Sequence, residues 1–294
     1  MLRIFNRGEI SKPQGPSFGG VRVGDRPWLV LGGGGLKGLA HLGAWRVLRD
    51  GGFEPEGIIG TSIGALVGAC LAGAQPLDEM EGRARMITRE NIARMPRRLL
   101  WSQGIRSSAL YRSDVLRGYI ESVVPEGGWQ SLSTRFQLNA VELGSGRTEW
   151  FGSGARTDVL LADAVYASAA LPLFYPPCTL PGGLYVDGGT RDALPIRRAA
   201  ELGATGIVAI DVGSSETANA PAVVDRGMLA IHERVFSIMS GCHRRQVVKE
   251  WTGPPLLYIR PELDDFGILE FKHLDQIIEE GRRAMKAVLS GSSP

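Results

Sequence analysis

Ser62 stands in Gly60-Thr61-Ser62-Ile63-Gly64, directly after the β-branched pair Ile58-Ile59. Those residues fit a short buried strand, a tight turn and a helix. A serine at the tip of a sharp strand-to-helix turn needs glycine on both sides, because the chain packs closely there. Its hydroxyl then projects at the start of a helix predicted over about 63–74, where free N–H groups and the helix dipole favour negative charge. That setting suits a nucleophile. Two rival readings stand beside it. The uncharged run Gly57–Leu77 is long enough to span a bilayer, and Gly60, Gly64 and Gly68 have the spacing of paired membrane helices. Its five glycines, with Thr61 and Ser62, make it a weak membrane segment. The other rival is a glycine-rich buried helix that holds a serine by chance.

A second group of residues could bind an anion. Trp28-Leu29-Val30-Leu31 reads as a buried strand, followed by Gly32-Gly33-Gly34-Gly35-Leu36-Lys37-Gly38. A helix is predicted over about 36–49, with Leu39, Leu42, Ala44, Val47 and Leu48 as its apolar stripe. Strand, glycine loop and helix start make a cradle of backbone N–H groups. The G-x-G-x-x-G of Gly33, Gly35 and Gly38 also fits a dinucleotide fold, which needs an acidic residue where the next strand ends. That strand ends in Gly60-Thr61-Ser62 instead. The loop therefore reads as an oxyanion hole for a tetrahedral intermediate formed at Ser62. One such donor is worth about 3–4 kcal/mol of barrier. A third feature is Gly182–Gly189, a short strand that ends in Asp187 on the turn Gly188-Gly189. An ordinary Asp-Gly turn would look the same.

The elements that must position these residues alternate along the chain. Further strands are predicted at 135–141 and 148–152, at 206–211 and at 256–259. Helices are predicted at 76–92, 113–124, 157–170, 195–203, 223–251 and 273–289. This pattern predicts a three-layer α/β domain with a mostly parallel sheet. Residues 1–26 read as a flexible arm and 27–290 as one domain. Within it, 76–131 reads as a helical insertion over the site, with nine arginines and two acids between Gly82 and Arg117. Solvated helix faces explain those arginines, and a surface for anionic lipid headgroups is the alternative.

With 294 residues, 44% hydrophobic and 22% charged, the chain has ample core, and a net charge of +2 gives no field suited to nucleic acid. Cys70, Cys178 and Cys242 read as isolated reduced thiols. The first seven residues lack the apolar run of a secretory signal, so a cytoplasmic protein is expected. No metal-binding pattern occurs, and no cofactor is expected.

Three motifs now stand in order: Gly33-Gly34-Gly35-Leu36-Lys37-Gly38, Gly60-Thr61-Ser62-Ile63-Gly64 and Asp187-Gly188-Gly189, with Ala167-Ser168-Ala169-Ala170-Leu171-Pro172-Leu173-Phe174 between the last two. Together they resemble the patatin-like phospholipase family, in particular its small bacterial members, over about residues 28–289. The resemblance implies a fold related to α/β hydrolases and metal-independent hydrolysis of lipid acyl esters. It implies Ser62 as nucleophile, Asp187 as its only side-chain partner, and the loop of Gly33, Gly34, Gly35, Lys37 and Gly38 as oxyanion hole. Lys37 matches a position that is usually basic. His41, His232, His243 and His273 then have no catalytic part, and Asp192 and Asp211 rank below Asp187. His41 reads as core-facing or on a helix surface, and the other three as surface residues. An acyltransferase using the same acyl-enzyme and a non-catalytic lipid-binding regulator are the competing functions. The expected partner is a lipid or other acyl ester, with peripheral contact to an anionic membrane surface as an option.

Overall fold

The computed structural model describes residues 4–5, 17–18, 20–95, 107–214 and 217–291. The strands are β1 (Ile4–Phe5), β2 (Ser17–Phe18), β3 (Val21–Arg22), β4 (Pro27–Leu31), β5 (Gly57–Gly60), β6 (Arg135–Glu142), β7 (Thr148–Gly152), β8 (Cys178–Leu180), β9 (Gly183–Asp187), β10 (Gly206–Ile210) and β11 (Leu256–Ile259). The helices are α1 (Ala40–Asp50), α2 (Ile63–Ala72), α3 (Leu77–Arg85), α4 (Arg89–Ile92), α5 (Ser113–Val123), α6 (Leu161–Ala169), α7 (Ile196–Glu201), α8 (Ala220–Asp225), α9 (Met228–Lys249) and α10 (Leu274–Leu289). No helix among the described residues is long and apolar enough to cross a membrane.

One sheet runs β1-β11-β10-β4-β5-β6-β9-β8, and β7 also pairs with β6. Its centre, β11-β10-β4-β5-β6, is parallel throughout. The pairings of β1 with β11, and of β6, β7, β8 and β9 among themselves, are antiparallel. The sheet is therefore mixed, with its parallel part confined to the five central strands. Those strands are buried on both faces, as crossover helices require. Trp28 and Val30 enter one core with Ile196 and Ala199 of α7 and Val247 and Val248 of α9. Leu29 and Leu31 enter the other, with side chains from α1, α2, α5, α6 and α10. The period-2 alternation of one strand thus feeds two helical layers.

Several sequence expectations change here. The arm is not loose where it is described: β2 and β3 form a hairpin, and Phe18, Val21 and Val23 are buried in the main core. Their burial outweighs a composition rich in glycine and charge. The predicted 76–92 helix breaks into α3 and α4, and 223–251 into α8 and α9. Gly227 makes the second break, at a φ of 84° that only glycine adopts readily. Of the arginine-rich insertion, 96–106 lie outside the described residues. Its described arginines mostly serve the fold: Arg85 pairs with Glu81 and Asp275, Arg112 with Asp114 and Arg117 with Asp163.

Candidate active site

The register of β6 decides which residues meet. Its edge opposite β7 carries β5 along its first half, with Gly60 paired to Leu138. The same edge carries β9 along its second half, with Asp187 paired to Ala140. β5 and β9 run toward each other, so the ends of both strands converge at Asn139. The elbow after β5 and the aspartate at the end of β9 are therefore brought together across 125 residues of sequence.

Ser62 occupies that elbow with φ 57° and ψ −123°, a conformation side chains rarely adopt. Such strain costs about 1–3 kcal/mol and persists only where the surroundings enforce it. The flanking glycines show what enforces it. A Cβ on Gly60 would lie 2.1 Å from Gly64 O, and one on Gly64 2.2 Å from Leu31 O. The Ser62 N–H is held by Ser168 Oγ at 2.9 Å. Ser62 Oγ in turn donates to Asp187 Oδ2 at 2.7 Å.

Asp187 is fixed on every side. Its N–H donates to Ala170 O, just beyond α6, and its Oδ1 accepts the Gly189 N–H at 2.7 Å. Thr190 Oγ1 donates to its backbone carbonyl. Gly188 packs against Asn139, where a Cβ would lie 2.3 Å from Oδ1. Burial pushes the Asp187 carboxyl up from 3.8 to about 6, against the pull of the Ser62 and Gly189 donors. A carboxylate with that affinity for a proton, hydrogen-bonded to a serine hydroxyl, can act as a general base.

The glycine loop lies over the same cavity, which Gly33, Gly34, Gly35, Ser62, Asp187 and Gly189 help to line. Its N–H groups are not equivalent. Gly33 donates to Ala193 O and Leu36 to Ile268 O. Gly34 and Gly35, between them, have no acceptor among the described residues, and neither does Ile63 at the start of α2. Free N–H groups beside a nucleophile are what an oxyanion requires. Three members of the loop thus differ from expectation. Gly33 has no free N–H. Lys37 is wholly buried behind the loop and does not line the cavity; its Nζ donates to Ser214 Oγ at 2.6 Å, and burial lowers its pKa to about 8. Gly38 is a contact glycine, where a Cβ would collide with Ile63 Cγ2 at 2.1 Å.

No histidine lines this cavity. His41 is buried, its Nε2 bonded to Gly32 O at 2.9 Å, and burial lowers its pKa to about 4, so it is neutral. His273 is exposed beside Glu270. His232 and His243 are half-buried on α9 rather than at the surface, because α9 packs one face on the domain. Asp192 faces His243 at 3.9 Å, and its backbone carbonyl accepts from Asn139 Nδ2. Asp211 is bound to Arg244 and to the Tyr258 hydroxyl. Sequence reasoning missed the residues that brace the site. Ser168 holds the elbow, and Thr61 Oγ1 donates to Asn139 Oδ1 at 2.8 Å beneath it. The signal for Asn139 was present: Gln137 and Asn139 are amides among the apolar residues between the charged ends of the strand, Arg135 and Glu142.

Residues 29–200 match the family model described as patatin-like phospholipase. An uncharacterized NTE family protein of Mycobacterium tuberculosis is 31% identical over 188 residues, which make up 64% of this chain and 49% of that protein. Lysophospholipase nte1 of Aspergillus fumigatus is 29% identical over 276 residues, covering 86% of this chain and 17% of the fungal protein. The chain therefore spans about half the length of the first relative and far less of the second. The crystal structure of VipD from Legionella pneumophila superposes with a TM-score of 0.53 at 13% identity, over 92% of this chain and 67% of VipD. At that identity the likeness is one of fold, and the fold is the patatin-like α/β architecture. The family match takes in more than half of the chain and holds loop, elbow and aspartate turn alike, so this chain belongs to the patatin-like phospholipase family.

Proposed function

We propose that the chain is a serine acyl hydrolase that cleaves lipid acyl esters through an acyl-Ser62 intermediate. The observation that carries this reading is the 2.7 Å hydrogen bond from Ser62 Oγ to a buried carboxylate beside free loop N–H groups. In the proposed sequence Asp187 takes the hydroxyl proton as Ser62 Oγ attacks the ester carbonyl carbon. The carbonyl oxygen becomes an oxyanion facing the Gly34 and Gly35 N–H groups. Collapse of that intermediate expels the alcohol, which takes the proton from Asp187. Water then attacks the acyl-enzyme and gives its proton to Asp187. The second intermediate releases the fatty acid, and the proton returns to Ser62. A pKa of about 6 leaves Asp187 ionised at neutral pH yet more basic than an ordinary aspartate.

The walls support a lipid substrate. Ile63, Leu66, Leu116, Ile120 and Leu171 line the cavity around Ser62. It adjoins a second cavity that shares Leu36, Ile63, Leu66, Ile92 and Leu116 with it and continues past Val67, Met80 and Ala84. Apolar walls of this kind suit an acyl chain. The fungal relative is named a lysophospholipase, which makes lysophospholipid the first substrate to assay. Purified protein should release fatty acid from lysophospholipids, phospholipids or p-nitrophenyl esters, and Ser62→Ala should release none. Wild-type turnover by Ser62→Ala would overturn the proposal.

A further inference from the structure

α9 has two faces with opposite tasks. One face, with Glu233, Phe236, Ser237, Ser240 and Arg244, lines the catalytic cavity. The face turned away from it carries Met228, Ile231, Val235, Ile238 and Met239, at the three- and four-residue spacing of a helical stripe, and all five are exposed. Val224 on α8 and Leu229 at the start of α9 are exposed as well, Leu229 on the side of the helix toward the cavity. Seven of the twelve exposed large hydrophobics among the described residues lie between Val224 and Met239. Scattered exposed hydrophobics are ordinary, but a contiguous stripe marks an interaction surface.

The charges around it indicate the occupant. From Arg226 to Lys249 there are five basic residues and one acid, Glu233. Arg244 is bound to Asp211; Glu233, which lines the cavity, also pairs with Arg226 at 3.8 Å, and of the two acids flanking this stretch, Asp225 and Glu250, the second pairs with Arg197. At 100° per residue Arg234 and Arg245 border the stripe along one side, and Arg226 and Lys249 stand at its ends. Apolar side chains within a basic border match the acyl boundary and phosphate level of an anionic bilayer. Self-association through this face would instead set cationic borders against their own copies. The stripe also leads inward. Leu229, Met95, Arg89 and Arg226 line a cleft that shares Glu233, Ile268 and Leu269 with the catalytic cavity.

We propose that the outer face of α9 docks the protein on anionic membrane, so that lipid passes along the Leu229 cleft into the cavity on the helix's other face. The docking face itself lies outside the arginine-rich 82–117 segment, which contributes Arg89 and Met95 to the cleft. The benefit of docking rests on the hydrolase reading; the docking itself does not. The test is flotation of the full chain, carrying Ser62→Ala so that lipid is not consumed, with vesicles of equimolar phosphatidylcholine and phosphatidylglycerol. The protein should float with these vesicles and less with phosphatidylcholine alone. Met228→Gln, Val235→Gln and Met239→Gln, combined, should weaken binding by at least about tenfold. In the background with Ser62 restored, the same triple change should leave turnover of soluble p-nitrophenyl butyrate intact and cut turnover of vesicle phospholipid. Binding undiminished in the triple variant would overturn the proposal. So would a parent protein that ignores vesicles, including one that forms a dimer which the triple variant dissociates. Flotation that depends on the stripe, in a protein whose Ser62 form hydrolyses no ester, would retain the docking surface and refute the hydrolase reading alone.

Discussion

At the scale of single residues, Asp187 is a buried carboxyl pulled in two directions. Burial raises its pKa from 3.8 to about 6, although Ser62 and Gly189 both donate to it. Two consequences follow in different measurements. If Asp187 must be ionised to take the Ser62 proton, kcat/KM for a water-soluble ester should rise with pH through about 6 and then level. A profile that stays flat down to the ordinary aspartate range would contradict this role. For stability the sign is opposite to that of a salt-bridged aspartate. The folded state binds the proton more tightly than the unfolded state, so the contribution is fully present below 3.8 and is lost as pH rises through about 6. The difference amounts to roughly 3 kcal/mol at pH 8. Asp187→Asn keeps the shape without the charge. It should melt above wild type at pH 8, with the gap closing toward pH 4, while acylation falls by about 10²–10⁴. A lower melting temperature at pH 8 would show that the charge is better accommodated than its burial implies. Ser168→Ala makes a different prediction, because it removes the acceptor of the Ser62 N–H. An unsatisfied buried N–H costs about 1–3 kcal/mol, so denaturation should detect the loss, and the relaxed elbow should acylate more slowly.

At the scale of elements, the site is a meeting of strand ends. β5 and β9 share one edge of β6, and α6 ends where Ser168 holds Ser62 and Ala170 O holds the Asp187 N–H. The glycine loop closes over this junction. Its geometry makes Gly35→Val a severe change: Gly35 has φ 62°, and a Cβ there would lie 2.2 Å from Ile268 O. Losing one oxyanion donor costs about 10²–10³ in kcat, so hydrolysis by Gly35→Val at the wild-type rate would place the donors elsewhere. Much of this arrangement was legible before any coordinates. The Gly60–Gly64 spacing identifies an elbow, the loop after Trp28–Leu31 identifies an anion cradle, and the strand before Gly188 ends in an aspartate, because each of these is a local pattern of φ requirements and burial. What was not legible depends on register. Nothing in the local sequence of β6 says that Leu138 and Ala140 will pair with strands so distant in the chain, and that pairing makes the sheet mixed. Nor does a glycine-rich loop reveal which N–H groups are spent internally, as Gly33 is on Ala193 O. The hairpin of β2 and β3 was hidden for a related reason: Phe18, Val21 and Val23 find their partners only in the assembled core.

At the scale of the whole molecule, one buried ion pair ties α9 to the end of β10. Arg244 meets Asp211 at 3.1 Å, with both side chains almost fully buried. Burial opposes ionisation of Asp211, but Arg244, the Gly213 N–H and the Tyr258 hydroxyl more than offset it and hold its pKa below 3.8. Stability from this group is therefore present above that value and lost as pH falls below it. Arg244→Met strands the carboxylate and should cost about 3–5 kcal/mol in chemical denaturation, much of it recovered when Asp211→Asn is added. An additive double variant would show that the two side chains act independently. The pair fixes the helix whose inner face lines the cavity, so the wall of the site depends on a contact made at its margin. The central claim is that Ser62 is acylated with Asp187 as its direct base and no histidine between them. The most direct measurement is peptide mass spectrometry after reaction with a fluorophosphonate. A single adduct is predicted on the peptide containing Ser62, absent in Ser62→Ala and formed far more slowly in Asp187→Asn. It should persist when His41, His232, His243 and His273 are each replaced by Gln. An adduct on another residue, or a folded histidine variant as unreactive as Ser62→Ala, would contradict the account.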